Sequence, residues 1–267
     1  MLPLDLPWTT FSPPPGDRRS AAIVTGGLAL HHVHLASVIN HEHPGLVRAW
    51  FALSDAPPEQ LPRPLDGEGS GEAAIFEEEL RHLASQGGLL SPERIPRSDM
   101  GRVLPTRLKE IDPYFLLILG GPLLSTEVLR SARGVAINAH AGWSPELKGS
   151  ATIEQALYYR RTDWLGNTVH LASSNADGGP ILRRTTVTAY ADDRPTDLFY
   201  RSVALGNWLM AEVVSELLTA QAIRIFPQPD RGSTMRLSDW DDARAELVAG
   251  DLRQGWLRYA LGKERSY

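Results

Sequence analysis

The run Tyr114-Phe-Leu-Leu-Ile-Leu119 constrains the fold of this chain more than any other stretch. An unbroken apolar run this short, closed by Gly120-Gly121-Pro122, describes a strand covered on both faces. Such strands lie at the centre of parallel sheets, where the crossover connections place helices over both sides. A second compact run, Ala21 to Thr25, ends in Gly26-Gly27 and leads into a helix-compatible stretch from Leu28 to Asn40. Strand, glycine turn and helix together open a doubly wound fold. The expected architecture is therefore α/β, a doubly wound, mostly parallel, Rossmann-like sheet.

The remaining elements fit this frame. Val47 to Leu53 reads as a strand and Ser54 to Gly71, rich in Pro, Gly, Asp and Glu, as a loop. Helices are expected over Ala73 to Ala84 and Arg102 to Ile111, with Pro105 in the first turn of the second, where its missing N–H is tolerated. Asp112-Pro113 is expected to start the central strand, and Glu127 to Ala132 to lead into a strand at Gly134. A helix over Ala151 to Arg160 has Ser150 as its expected cap. Asn167 to Ser173 and Ile181 to Ala189 read as paired strands, and Asp197 to Leu218 as a long amphipathic helix. After a Pro-rich link, Ser238 or Asp239 is the expected cap before a helix that carries Trp256, Leu257 and Leu261. The chain divides into a Pro-rich lead-in (1–18), a catalytic domain (19–225) and a short C-terminal helical appendage (226–267).

Composition narrows the function. A formal net charge of -5 with 22% charged residues argues against a nucleic-acid partner, because a phosphate footprint shows as clustered excess Lys and Arg. Zero cysteines exclude disulfides, a thiolate nucleophile and Cys-ligated metal, and are compatible with the reducing cytoplasm. No run approaches the roughly 18 apolar residues of a membrane span, and Met1 to Pro15 lacks the basic start and long apolar run of a signal peptide. His31, His32, His34, His41 and His43 crowd one segment, but their spacing fits no standard metal site, so solvated or capping roles are expected and no metal is invoked. The first glycine turn does not spell G-x-G-x-x-G, which weakens a dinucleotide reading. Trp208, Trp240 and Trp256 supply surface for a homodimer as readily as for a core.

The chemistry gathers between Gly134 and Pro180. Gly134-Val-Ala-Ile-Asn138-Ala-His140 reads as a buried strand whose last residues turn polar, at the edge where open α/β sheets place their sites. Asp177 lies between the strand ending near Ser173 and the loop Gly178-Gly179-Pro180, which lets its carboxylate fold back to that edge. Asn138 can donate to a developing oxyanion, His140 can hold a proton near neutral pH or stabilise the oxyanion as a cation, and Asp177 can accept a proton. No Ser or Cys in a nucleophile-elbow context accompanies them, which favours direct transfer over a covalent enzyme intermediate. On spacing alone, the same three residues also suit ordinary structural hydrogen bonding.

A longer frame separates these readings. Asp112-Pro-Tyr-Phe-Leu-Leu-Ile-Leu-Gly-Gly-Pro-Leu-Leu, Gly134-Val-Ala-Ile-Asn-Ala-His, Pro145-Glu-Leu-Lys-Gly149, Gly166-Asn-Thr-Val-His170 and Asp177-Gly-Gly-Pro-Ile-Leu182 occur in this order. Together they resemble the formyltransferase family, whose signature is N-x-H-x-S-L-L-P-x-x-R-G followed by G-x-T-x-H and D-x-G. Its members include methionyl-tRNA, glycinamide ribonucleotide and sugar-amine formyltransferases. The resemblance implies a 10-formyltetrahydrofolate donor and an amine or hydroxylamine acceptor. It further implies that Asn138 and His140 polarise the formyl carbonyl and that Asp177 manages the proton of the attacking amine. It also implies a pterin pocket at Gly120, Gly121 and the loop carrying Ser174, Asn175 and Ala176. Gly142, Trp143 and Ser144 depart from the family's Ser-Leu-Leu, and Lys148 from its common Arg, which keeps the charge but loses the bidentate fork. These departures, with no terminal barrel of the transfer RNA enzyme, favour a small-molecule acceptor. A formyltetrahydrofolate hydrolase and a non-catalytic folate-binding or assembly relative are the alternatives, ahead of a nicotinamide-dependent oxidoreductase.

Overall fold

The structure is a computed structural model that describes residues 8–55, 71–87, 90–229 and 231–264. Most of the loop expected after Ser54, the start of the lead-in and the glycine after Gly87 lie outside the described residues. In chain order the elements are β1 (Thr9–Phe11), β2 (Ala21–Thr25), α1 (Leu30–Glu42), β3 (Val47–Leu53), α2 (Gly71–Gly87), β4 (Glu93–Ile95), α3 (Met100–Ile111), β5 (Phe115–Leu119), α4 (Thr126–Leu129) and β6 (Val135–His140). They continue with β7 (Leu147–Gly149), α5 (Thr152–Tyr158), β8 (Gly166–Leu171), β9 (Ile181–Thr186), α6 (Pro195–Thr219), β10 (Ile223–Ile225), β11 (Ser233–Met235), α7 (Asp242–Arg253) and α8 (Trp256–Glu264).

Seven strands form the central sheet in the order β4-β3-β2-β5-β6-β8-β9. The first five are parallel, and β8 and β9 close the sheet antiparallel, paired with each other as their β-branched sequences suggest. Alternate residues of the central strands feed two cores, because side chains along a strand point to opposite faces. Ile23, Leu117 and Ile137 pack with Leu35, Ile39, Met210 and Val214 from α1 and α6, whereas Val24, Leu116 and Ile118 pack with Leu104, Leu108 and Val128 from α3 and α4. Every residue of β5 is buried, as its two-sided apolarity requires. Two smaller sheets sit outside: β1 pairs antiparallel with β10, and β11 pairs parallel with β7. Trp8 stays exposed with its ring edge-on to Phe226.

Several local expectations are corrected. α3 starts at Met100, so Pro105 lies inside the helix instead of in its first turn. Asp112 is the left-handed C-cap of α3 (φ 50°), and β5 begins only at Phe115. Ser150 makes no cap; Ala151, itself left-handed (φ 52°), stands at the N-cap of α5 without a side-chain bond. α7 is capped by Asp241, which accepts the Arg244 N–H, and Asp239 instead closes the short turn before it by accepting the Arg236 N–H. The α1 histidines divide. His32 does cap, its Nδ1 accepting the Ala29 N–H at 3.2 Å, but His34 is fully buried between α1, α2 and α6, with Nδ1 accepting from the Asn207 amide at 3.0 Å. Helix packing over the sheet takes that position out of solvent. Burial lowers the His31 pKa to about 4, helped by His34, and holds His32 well below the ordinary value, helped by His31 and Arg97.

Candidate active site

Asn138 and His140 project from the carboxyl end of β6, and the antiparallel partner β8 sets His170 directly opposite Asn138. Asp177 follows β8 in a tight turn in which the Gly178 N–H returns to the Asn175 carbonyl. Its backbone is left-handed (φ 47°), a conformation that Asp and Asn tolerate better than most residues. The turn aims the carboxylate back at the sheet. Asp177 Oδ1 accepts from Asn138 Nδ2 at 3.0 Å and lies 3.3 Å from His170 Nε2. Oδ2 accepts the Gly149 N–H at 2.8 Å and lies 3.3 Å from His140 Nδ1. The amide orientation of Asn138 follows from this arrangement, since its oxygen would otherwise oppose a carboxylate.

Hydrogen-bond partners also assign the rings. His140 Nε2 faces the Leu147 carbonyl at 3.2 Å and must carry a hydrogen, which leaves Nδ1 as a lone pair towards Asp177 while the ring is neutral. His170 Nδ1 likewise donates to the Leu171 carbonyl at 2.8 Å, so Nε2 accepts from Asn138 Nδ2 at 3.0 Å. Burial pushes the His140 pKa below the ordinary histidine value; the Asp177 charge opposes this and burial prevails. Burial alone would raise the Asp177 carboxyl, but His140 and His170, as their rings take up charge, and the Gly149 N–H hold it well below the usual carboxylate range. The Nδ1 to Oδ2 pair, at 3.3 Å, is thus the place in the cluster where one proton can be shared between an imidazole and a carboxylate.

A titration tests this. In nitrogen-15 spectra of the imidazoles, His140 is expected to stay neutral, protonated at Nε2, as pH falls past 6.5 and to charge only below that value. Its folded pKa is depressed, so its contribution to stability is present above 6.5 and lost as acid protonates the ring. Titration of His140 at or above 6.5 would overturn the assignment.

The altered loop after His140 has structural causes. A Cβ on Gly142 would lie 2.3 Å from His140 Nε2 and 2.8 Å from Thr152 Oγ1, so the side chain common in the family has no room here. Trp143 lies under the Arg184 guanidinium at 4.3 Å and over Gly166, where a Cβ would meet its ring at 2.8 Å. Thr168 Oγ1 donates to the Gly142 carbonyl at 2.7 Å and accepts the Ser144 N–H at 3.1 Å. Arg184 Nη1 donates to the Ser144 carbonyl at 2.7 Å. The marked residues of the Gly166 to His170 block thus divide the work, with Gly166 admitting Trp143, Thr168 holding the loop and His170 joining the cluster. His170 is the member of the cluster that attention to Asn138, His140 and Asp177 overlooked, although the block already contained it.

The residues expected to hold a pterin lie at the same sheet edge. Gly120 and Gly121 are exposed beyond Leu119, which pairs with Ala139, and both are left-handed (φ 65° and 90°). Gly121 also meets the turn after β2, since a Cβ on it would lie 2.8 Å from the Gly26 Cα, and a Cβ on Gly120 would lie 3.0 Å from His32 Nε2. Packing between two turns therefore requires these glycines whether or not a ligand approaches. Ser174 and Asn175 are exposed and Ala176 is half-buried, on the turn that precedes Asp177.

The family model described as formyl transferase matches residues 81–214. Methionyl-tRNA formyltransferase from Halorhodospira halophila is 30% identical over 148 residues, 55% of this chain and 46% of that protein. The chain spans about half the length of the curated relatives it matches. Phosphoribosylglycinamide formyltransferase from Streptococcus pneumoniae aligns with a TM-score of 0.55 at 21% identity, covering 75% of this chain and 99% of that one. The N-formyltransferase from Helicobacter canadensis, solved with folinic acid and dTDP-3-aminofucose, aligns with a TM-score of 0.57 at 15% identity, covering 83% and 72%. Structures this distant speak for the fold alone, a mostly parallel sheet between helices. Because the matched segment spans half of the chain and contains the β6 edge, His170 and Asp177, this protein belongs to the formyl transferase family.

Proposed function

We propose that this protein transfers a formyl group from 10-formyltetrahydrofolate directly to an amine or hydroxylamine nitrogen of a small molecule. The observation that carries the reading is the Asn138, His140, His170 and Asp177 cluster at the carboxyl edge of the sheet, arranged around the His140 Nδ1 and Asp177 Oδ2 pair. The acceptor nitrogen attacks the formyl carbon, the carbonyl electrons move to oxygen, and Asn138 exchanges one of its internal hydrogen bonds for the resulting oxyanion. His140 Nδ1 and Asp177 Oδ2 take the proton that the nitrogen loses. Collapse of the tetrahedral intermediate breaks the bond between the formyl carbon and N10 of the folate, and N10 takes the proton that His140 and Asp177 had accepted, which returns the pair to its starting state. The products are the formamide and tetrahydrofolate. Gly120, Gly121 and the turn with Ser174, Asn175 and Ala176 offer backbone groups to the pterin, within a catalytic unit of residues 19–225.

A small acceptor is supported by the net charge of -5 and by the sugar-nucleotide ligand of the Helicobacter structure. Among the described residues no helix is long and apolar enough to cross a membrane, and no group of three His, Asp or Glu is placed to hold a metal. The test is incubation with 10-formyltetrahydrofolate and a panel of amines, amino sugars and hydroxylamines, following tetrahydrofolate release and formylated product together. Stoichiometric release and product are expected. Release without any amine would replace the reading with hydrolysis, and folate binding without turnover would replace it with a binding role.

A further inference from the structure

The C-terminal segment, expected from sequence to be an appendage, reaches the candidate site at two points. Gln228 Nε2 donates to the backbone carbonyl of Asp177 at 2.7 Å and to that of Gly179 at 2.5 Å. Its orientation is dictated, because only the amide nitrogen can meet two carbonyl oxygens. A few residues later β11 pairs with β7, with Met235 opposite Gly149, the residue whose N–H binds Asp177 Oδ2. The Met235 carbonyl accepts the Ser150 N–H at 2.9 Å and approaches Gly149 so closely that a Cβ there would lie 2.0 Å away. The two contacts fasten opposite ends of one residue, with Gln228 on the peptide and the β11-supported Gly149 on the carboxylate. We infer that Gln228 is a positioning residue for Asp177, which holds the left-handed turn so that the carboxylate meets His140 and Asn138. The charge on Asp177 leaves little tolerance for drift, since each contact around it lies at about hydrogen-bond distance.

This inference rests on the formyl-transfer reading for its kinetic test and on geometry alone for its spectroscopic one. Gln228→Met keeps length and volume but removes the donor. It is expected to lower kcat about tenfold to a hundredfold, with KM for the formyl donor within about threefold, because positioning acts on the transition state more than on donor binding. The acid limb of the kcat profile and the carbon-13 titration of the Asp177 carboxyl should both move to higher pH as the carboxylate loses its fixed partners. A thermal-unfolding control separates positioning from loss of fold. Wild-type kcat in Gln228→Met, together with an unmoved Asp177 titration, would overturn the inference while leaving formyl transfer intact. Should the wild-type protein itself show no transfer, that reading fails instead. The Asp177 titration then decides alone, an upward shift supporting the positioning role and an unchanged curve refuting it.

Discussion

Asp177→Asn is expected to lower kcat by between about a hundredfold and ten-thousandfold, the range that proton transfer by a positioned group supplies. Asparagine suits the test for a backbone reason. Asp177 sits at φ 47°, and Asn adopts that region readily, so the turn and its Gln228 bonds are retained. The carboxamide still offers one oxygen to Asn138 or to the Gly149 N–H, but one of these donors loses its acceptor, which costs about 1–3 kcal/mol of stability. That loss lowers the melting temperature without unfolding the protein at 25 °C. What disappears is the basic oxygen facing His140 Nδ1, and with it the place where the amine proton goes. Steady-state kinetics beside a circular-dichroism melt gives both readouts. Turnover within a few-fold of wild type would remove Asp177 from proton handling.

Asn138→Ala is the second large effect, an expected loss of about a hundredfold to a thousandfold in kcat, as for removal of one oxyanion donor. Both amide hydrogens of Asn138 are already engaged, one by His170 Nε2 and one by Asp177 Oδ1. The donor is therefore held in place before substrate arrives, and substrate competes for a bond instead of ordering a side chain. If the amide acts in the transition state, kcat and kcat/KM fall together. A rise in KM at constant kcat would assign Asn138 to ground-state binding only. Because Asn138 also stabilises the ionised form of Asp177, the acid limb of the variant's pH profile should shift upward, the same direction as in Gln228→Met but with a larger loss of rate.

Gly142 shows how a departure from the family pattern becomes intelligible only in three dimensions. In the sequence, Gly142-Trp143-Ser144 is only a departure from the family's Ser-Leu-Leu. In the structure, Trp143 is turned to Arg184 and Gly166, and Gly142 lets the loop close on His140. Lys148, at the position where the family commonly has Arg, donates to the Arg231 carbonyl at 3.4 Å. The loop is thus a different packing solution around the same imidazole.

Periodicity and local punctuation carried the architecture. Two-sided apolar runs specified β2 and β5, glycine turns specified their ends, and the polar end of β6 specified where chemistry could lie, because each signal is written in neighbouring residues and acts through backbone geometry. Caps were less legible. Ser150 and Asp239 have suitable side chains, but Ala151 stands at the N-cap of α5 and Asp241 at that of α7. The tertiary structure alone decided that His170 completes the cluster, that His34 is buried and that Gln228 and β11 grip Asp177 and Gly149 from the far end of the chain. The Gln228 and β11 contacts join residues dozens of positions apart, and only the packed path of the backbone determines which distant donors reach a given carboxylate.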